Sequence, residues 1–244
     1  MKKYTILIID SDAEPIYKVG RDIWRLNAKK YDIDIFFLRT SNEIKDDSIL
    51  ISDDVIYSKW IDSFEDRLID KTLKGFKHIL ETTNHHYILR ANLSSFFDLS
   101  LLSSYIEQLP ENNVYSGAIE KIQLEMPDHK MRIINFCSGS GFILSRDLAY
   151  LVLERDKFCP HTFMDDVWMS LVLIDVKRIG FKRCDLTEIK QVDIQALTKI
   201  DEKIKMARAS NCFQYRVKNN GQLPRENLDA LGWDALKKEF LLDN

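Results

Sequence analysis

An excess of charge of either sign is missing from this chain. Its 35 basic and 38 acidic residues in 244 leave a net charge of -3, which gives no electrostatic footprint for a nucleic acid or an anionic membrane. Cysteine is sparse as well. Cys137, Cys159, Cys184 and Cys212 form no CxxC pair and no dense framework, so reduced thiols in a reducing compartment are expected. The five histidines, including His85-His86, make no HxxxH or HxH spacing of the kind that holds a metal. No apolar run approaches the ~20 residues that span a bilayer. Although Lys2 and Lys3 precede it, Tyr4–Ile9 is too short for a signal-peptide core and stops at Asp10. The chain is therefore expected to be a soluble, cytoplasmic protein with no membrane span and no nucleic-acid partner.

Internal repeats, low-complexity segments and domain linkers are absent too. At 45% hydrophobic and 30% charged residues, the composition is that of an ordinary globular protein with a substantial core. A single domain over 1–244 is expected, with a first half 1–118, a second half 119–218 and a closing helix within 222–244.

What is present reads as alternating α/β. Tyr4–Ile9 (YTILII) is a short β-branched run, the pattern of a buried parallel strand. Residues 16–29 carry Val19, Ile23, Trp24 and Leu26 at roughly helical spacing, and apolar strands are predicted over 33–38 and 49–56. This β-α-β opening predicts a mostly parallel central sheet flanked by helices. The clearest helix runs over 62–80, where Leu68, Leu73, Phe76 and Leu80 share one face and Asp62 or Ser63 can cap it. Further strands are predicted over 86–91, 114–118 and 131–136, with Pro127-Asp128-His129 as a turn. Helices are predicted over 99–109, from Ser145 as cap to Arg155, and from near Asp165 to Val176. Weaker strands fall at 179–183, 191–194 and 212–217. Asn219-Asn220-Gly221 marks a turn before the closing helix of Leu228, Leu231, Leu236 and Phe240.

Several of these elements end in polar residues, and ligands bind outside the carboxyl ends of parallel strands. The central case is HYILRANLSSFF (86–97): the strand stops at Arg90, Ala91 and Asn92, and Ser94 and Ser95 follow. Asp10, Ser11 and Asp12 follow the first strand, and Asp53 and Asp54 lie at the third. Asp165 and Asp166 open a helix, where the macrodipole favours carboxylates. In CSGSG (137–141), Gly139 and Gly141 permit close backbone approach beside Ser138, but the Lys and Thr of a P-loop are lacking. Cys137 has no evident His partner and reads as a buried thiol. In FQYRVK (213–218), Arg216 and Lys218 share one strand face, with a planar fork and a point charge that both suit phosphate. An ordinary strand with a solvated charged face is the alternative.

Three of these stretches, in this order, resemble the inverting β-1,3-galactosyltransferase and fringe glycosyltransferases of the GT-A fold. DSFEDRLIDKTLKGFKHI (62–79) is similar to that family's Asp-Ser-Phe/Tyr, Asn-Leu-Thr-Leu-Lys and helix segment through Asp62, Ser63, Phe64 and Lys71, with Arg67 and Asp70 departing from it. HYILRANLSSFF sits where the family has an apolar strand, a Lys and an acidic DxD triplet, here Asn92-Leu93-Ser94. FCSGSGFILSRDLAYLVLE (136–154) followed by MDDVWMSLVL (164–173) is similar to the family's Cys-Ser-Gly-Gly-Gly-Tyr-Val-Leu-Ser segment and Glu-Asp-Val helix start. Together they cover roughly residues 4–175.

The resemblance implies a single-domain, Rossmann-like GT-A fold and an inverting transfer of a sugar from a UDP-sugar to a glycan hydroxyl. It assigns the general base to Asp166, beside Asp165; the alternative is that both acids simply cap the helix. A DxD site would hold a divalent cation, but Asn92 and Ser94 are neutral and bring no charge, so metal-independent chemistry is expected. Phosphate would then be held by Ser94, Ser95, Arg216 and Lys218, with Arg90 either pairing with phosphate or staying solvated. Gln214 stands closest to the position where many metal-dependent relatives use a His. Ser11, Asp12, Asp54 and Lys71 are expected on the nucleoside side, and Ser138, Gly139 and Gly141 on the acceptor side. A catalytically silent sugar- or nucleotide-binding protein on the same fold is the alternative function. A response-regulator receiver, suggested by ILIIDSDAE and Asp53-Asp54, fails because no lysine lies between Lys77 and Lys121 and the chain is twice too long.

Overall fold

The computed structural model of the protein describes residues 3–59, 68–125, 129–158, 161–187, 195–218 and 225–242. They form two compact units whose segments alternate along the chain. One comprises Met1–Ile9, Ile35–Ala91 and Leu109–Phe181, and the other Asp10–Asp34, Asn92–Gln108 and Lys182–Asn244. The two units are interleaved, so neither coincides with the first or second half expected from the sequence.

Among the described residues, the first unit is an eight-stranded sheet packed with α-helices. Its strands are β1 (Tyr4–Ile9), β2 (Ile35–Thr40), β3 (Leu50–Ser52), β4 (Val55–Ser58), β5 (Tyr87–Asn92), β7 (Tyr115–Glu125), β8 (Met131–Ser145) and β9 (Arg178–Gly180), in the order β3-β4-β2-β1-β5-β8-β7-β9. β1, β2 and β4 run parallel, as the buried β-branched runs predict. β5, β8 and β7 run antiparallel. The sheet is thus mixed, because a short connection can join β7 to β8 only as a hairpin. Helices α2 (Leu68–Thr82), α4 (Arg146–Arg155) and α5 (Asp165–Val172) belong to this unit. Its core unites Leu7, Leu38, Phe76, Ile88, Phe142 and Trp168. Gly75 lets α2 press onto β1: a Cβ there would stand 2.7 Å from Leu7 Cδ2.

The second unit pairs β10 (Arg183–Asp185), β11 (Gln214–Arg216) and β6 (Ser95–Phe97) with helices α1 (Ile16–Lys30), α3 (Leu99–Gln108), α6 (Gln195–Ala209) and α7 (Arg225–Phe240). Buried rings fill it: Phe96 lies 5.3 Å from Phe240 and Trp24 6.1 Å from Phe97. Asp98 caps α3, its Oδ1 accepting from the amides of Ser100 and Leu101.

Several sequence expectations need correction. The strand predicted over 49–56 is a hairpin, β3 and β4, turned at Asp53 in the left-handed region (φ 52°). Ser145 precedes α4 but makes no side-chain cap; its Oγ accepts the Val114 amide at 2.9 Å instead. Along α1 the buried face is Ile16, Gly20, Ile23, Trp24 and Asn27, whereas Val19 and Leu26 are exposed. CSGSG is no free loop, because β8 runs through it. The strand expected over 179–183 is two strands in different sheets, β9 and β10. The start of the 62–80 helix, the 191–194 strand and the 219–221 turn lie outside the described residues. Among the described residues, no helix is long and apolar enough to cross a membrane.

Candidate active site

The acidic pair opens α5 inside the first unit. Met164 occupies the N-cap, so Asp165 and Asp166 are the first two helical residues and neither is the cap. Their environments differ. Asp165 is 3% exposed, and its Oδ2 accepts from Arg90 Nη2 at 2.5 Å and from Thr72 Oγ1 at 3.1 Å. Asp166 is only partly buried. Its Oδ2 accepts the Gly139 amide at 2.7 Å, and its Oδ1 accepts the Val167 amide at 2.9 Å.

A defect in the sheet makes the Gly139 contact possible. β7 and β8 pair at Gly117↔Phe142 and again at Ile119↔Cys137, so residues 138–141 of β8 stand opposite Ala118 alone. Such a bulge takes backbone groups out of the ladder and re-aims them. The Gly139 amide turns to Asp166 and its carbonyl to Arg90 Nη1. Only glycine fits there without displacement, since a Cβ would stand 2.9 Å from Asp166 Oδ2 and 3.2 Å from Arg90 Nη1.

Burial, then the charge of Asp165, pushes the Asp166 carboxyl up to about 6 from an ordinary 3.8; the Gly139 amide, Arg90 and the Val167 amide oppose the rise. Helix position alone would stabilise the ionised form, so desolvation wins. A carboxylate poised near 6 and partly open to solvent is suited to accept a proton near neutral pH. Behind it, the Tyr115 hydroxyl and Ser170 Oγ lie 2.8 Å apart, and burial lifts the Cys137 thiol to about 12. Cys137 is an inert buried thiol, as its sequence context predicts.

Arg90 is the main correction at the site. Expected at phosphate or in solvent, it is fully buried and committed to Asp165 and to the Gly139 carbonyl, with Phe142 5.6 Å from its guanidinium. Lys71 is likewise fully buried within α2. Asp54 lies at the amino end of β4, on the hairpin turn, and its carbonyl accepts from the Phe37 amide. It is therefore at the opposite end of the parallel strands from Asp10. Ser138 is buried and accepts from Ser140 Oγ at 3.2 Å, while Gly141 pairs with Ala91 in the β5–β8 ladder.

The remaining candidates fall in the second unit. After β1, Arg21 of α1 ties the loop together, donating to Asp10 Oδ1 at 2.8 Å, to the Ser11 carbonyl at 3.1 Å and to Asp12 at 3.0 Å. No motif or spacing in the sequence marks Arg21. Asn92 ends β5, and a turn at Leu93-Ser94 leads into β6. β11 runs antiparallel to β6 and sets Arg216 opposite Ser95, and the Val217 amide donates to the Ser94 carbonyl at 2.7 Å. The hydroxyl turn and the basic strand are thus neighbours, although about 120 residues separate them in sequence. Arg216 and Lys218 are half-buried and alternate with buried Tyr215 and Val217, but β11 ends at Arg216, so Lys218 lies past the strand rather than on its face as expected. Ser95 is fully buried and Gln214 lies inside the β6–β11 pairing. Asn92, Leu93 and Ser94 offer no carboxylate, a poor donor set for a hard divalent cation. Among the described residues, no group of three His, Cys, Asp or Glu side chains could hold a metal ion.

A Rossmann-like α/β sheet with a carboxylate pair at a helix start defines a class broader than one chemistry. No family model matches the chain. Among characterised proteins it is similar to UDP-GalNAc:beta-1,3-N-acetylgalactosaminyltransferase 1 of Sus scrofa and of Homo sapiens, at 22% identity over 166 residues, or 59% of this chain and 50% of each relative. The Rattus norvegicus protein is 21% identical over the same length. The chain thus spans about half the length of the relatives it matches. Among solved structures, a glycosyltransferase involved in glycosylation of the major capsid of PBCV-1 aligns with a TM-score of 0.49 at 9% identity, over 93% of this chain and 97% of that one. The 4-diphosphocytidyl-2C-methyl-D-erythritol synthase of Anaerococcus prevotii aligns at 0.44 and 11% identity, over 84% of this chain and 96% of that one. The chain is similar to glycosyltransferases of the β-1,3 type, as its three sequence stretches imply.

Proposed function

We propose that this chain is an inverting glycosyltransferase that moves a sugar from a UDP-sugar to a glycan hydroxyl, with Asp166 as general base. The observation that carries the proposal is the asymmetry of the acidic pair. Asp165 is buried against Arg90 and Thr72, whereas Asp166 is partly exposed and lifted to about 6. One acid holds the architecture and the other meets the acceptor.

In the reaction, Asp166 takes the acceptor O–H proton, and the oxygen attacks the anomeric carbon from the face opposite UDP. The bond from that carbon to the β-phosphate oxygen breaks, and UDP leaves with the electron pair, inverting the anomeric centre. Negative charge builds on the departing diphosphate. Arg216 and Lys218, beside the Ser94-Ser95 turn, are the basic side chains assigned to it. No step passes through a metal, since the Asn92-Leu93-Ser94 donor set does not suit one. Asp12, held by Arg21, is assigned to the nucleoside side.

The proposal is tested by incubating the protein with UDP-sugars and a panel of glycan acceptors, and reading the anomeric proton of the product by NMR. A product of inverted configuration is expected. UDP binding without turnover on any acceptor or on water would favour the silent binding protein, and a retained configuration would overturn the single-displacement mechanism.

A further inference from the structure

The inference concerns Arg90 and rests on Asp166 being the base, a reading it deepens. Arg90 lies on β5, 75 residues before Asp165 in sequence, and is one of the largest fully buried side chains. Burying a guanidinium is costly unless charge and hydrogen bonds compensate it. Here one nitrogen donates to Asp165 Oδ2 and the other to the Gly139 carbonyl. The Gly139 amide, on the far side of that residue, donates to Asp166 Oδ2. Arg90 is therefore linked to both acids, directly to Asp165 and through the bulged strand to Asp166.

We propose that Arg90 is the positioning residue of this acidic pair: gripping Asp165 and the Gly139 carbonyl together, it aims the Gly139 amide at Asp166 and leaves Asp166 as the acid that meets substrate. The planar fork matters, because two fixed donors reach two acceptors at once, whereas an ammonium acts as a point charge. The charge matters as well. Asp166 is pushed up by Asp165 and held back by Arg90 and the Gly139 amide. Among the described residues, Cys137 on β8 and Tyr115 on β7 also interact electrostatically with Asp166, and Arg178 of β9 acts on both of those. On the α2 side, Thr72 is a neutral partner of Asp165.

The test follows the Asp166 carboxyl by carbon NMR across pH, together with steady-state kinetics, in wild type, Arg90→Lys, Asp165→Asn and Asp166→Asn. Arg90→Lys keeps the charge but loses the fork. It is expected to lower kcat about tenfold or more with the donor KM little changed, and to move the Asp166 titration upward as the Gly139 amide loosens. Asp165→Asn removes the like charge and is expected to move that titration down by about 1 pH unit. Wild-type kcat and titration in Arg90→Lys would overturn the proposal. Should that variant not fold, a wild-type Gly139 amide signal that does not follow the Asp166 titration would overturn it instead. Full activity in Asp166→Asn would refute the base assignment alone, and the NMR titrations would still decide the role of Arg90.

Discussion

Replacing Asp166 with Asn should lower turnover by about 100- to 10,000-fold and make the protein more stable above neutral pH. In the folded chain the carboxyl sits at about 6 against an ordinary 3.8. Because the folded value is raised, the native state binds this proton more readily than the unfolded chain. The group therefore adds no penalty below about pH 4, and one that grows as pH rises and is complete above about pH 6. The full difference amounts to about 3 kcal/mol as an upper bound, since the carboxylate is partly open to solvent. Asn has one acceptor oxygen where Asp166 serves both the Gly139 and Val167 amides. Losing one of those bonds costs about 1 kcal/mol. Asp166→Asn should thus gain roughly 1–2 kcal/mol at pH 8 and lose about 1 kcal/mol near pH 4. Urea unfolding at both pH values measures it. A stability difference independent of pH, or a loss at pH 8, would refute the reasoning.

Other substitutions probe the remaining contacts. Gly139→Ala would set a Cβ 2.9 Å from Asp166 Oδ2 and should lower kcat by about 10- to 100-fold, read in a UDP-release assay. Arg216→Ala and Lys218→Ala should each weaken UDP binding by about 1–3 kcal/mol in calorimetry; unchanged affinity in both would remove them from the diphosphate site. The kcat of the wild type should fall about tenfold per pH unit below pH 6 and level off above it, as expected for one essential base. Gly75→Ala, with its Cβ 2.7 Å from Leu7 Cδ2, should destabilise the protein by about 1–3 kcal/mol in chemical denaturation.

Strands with short β-branched runs were legible in the sequence, because burial on both faces leaves one pattern: β1 falls on Tyr4–Ile9 as predicted. The α6 helix was missed although Ile200, Ile204 and Ala207 are buried at helical spacing. Its many charged residues masked that stripe, and a count of i, i+4, i+7 positions would have found it. A single strand over 49–56 was expected, ending at Asp53-Asp54, because the apolar residues on either side of the pair look continuous. The left-handed Asp53 was the turn signal. The opening of α5 on Asp165-Asp166 was readable from local pattern, and so was the alternation of Arg216 and Lys218 with buried neighbours. The part played by Arg90 was not, since it depends on a bulge that frees Gly139 and on partners 49 and 75 residues away. Arg21 escaped for the same reason: its partners at residues 10–12 meet it only once α1 has folded back.

The most direct test of the account is UDP release and sugar transfer from UDP-sugars at pH 7.5, with excess EDTA, comparing wild type with Asp166→Asn. The account predicts that wild-type transfer persists in EDTA and that the variant falls by about 100- to 10,000-fold. Wild-type rates in Asp166→Asn would contradict the base assignment, and loss of all wild-type transfer in EDTA would contradict a diphosphate held by basic side chains and hydroxyls.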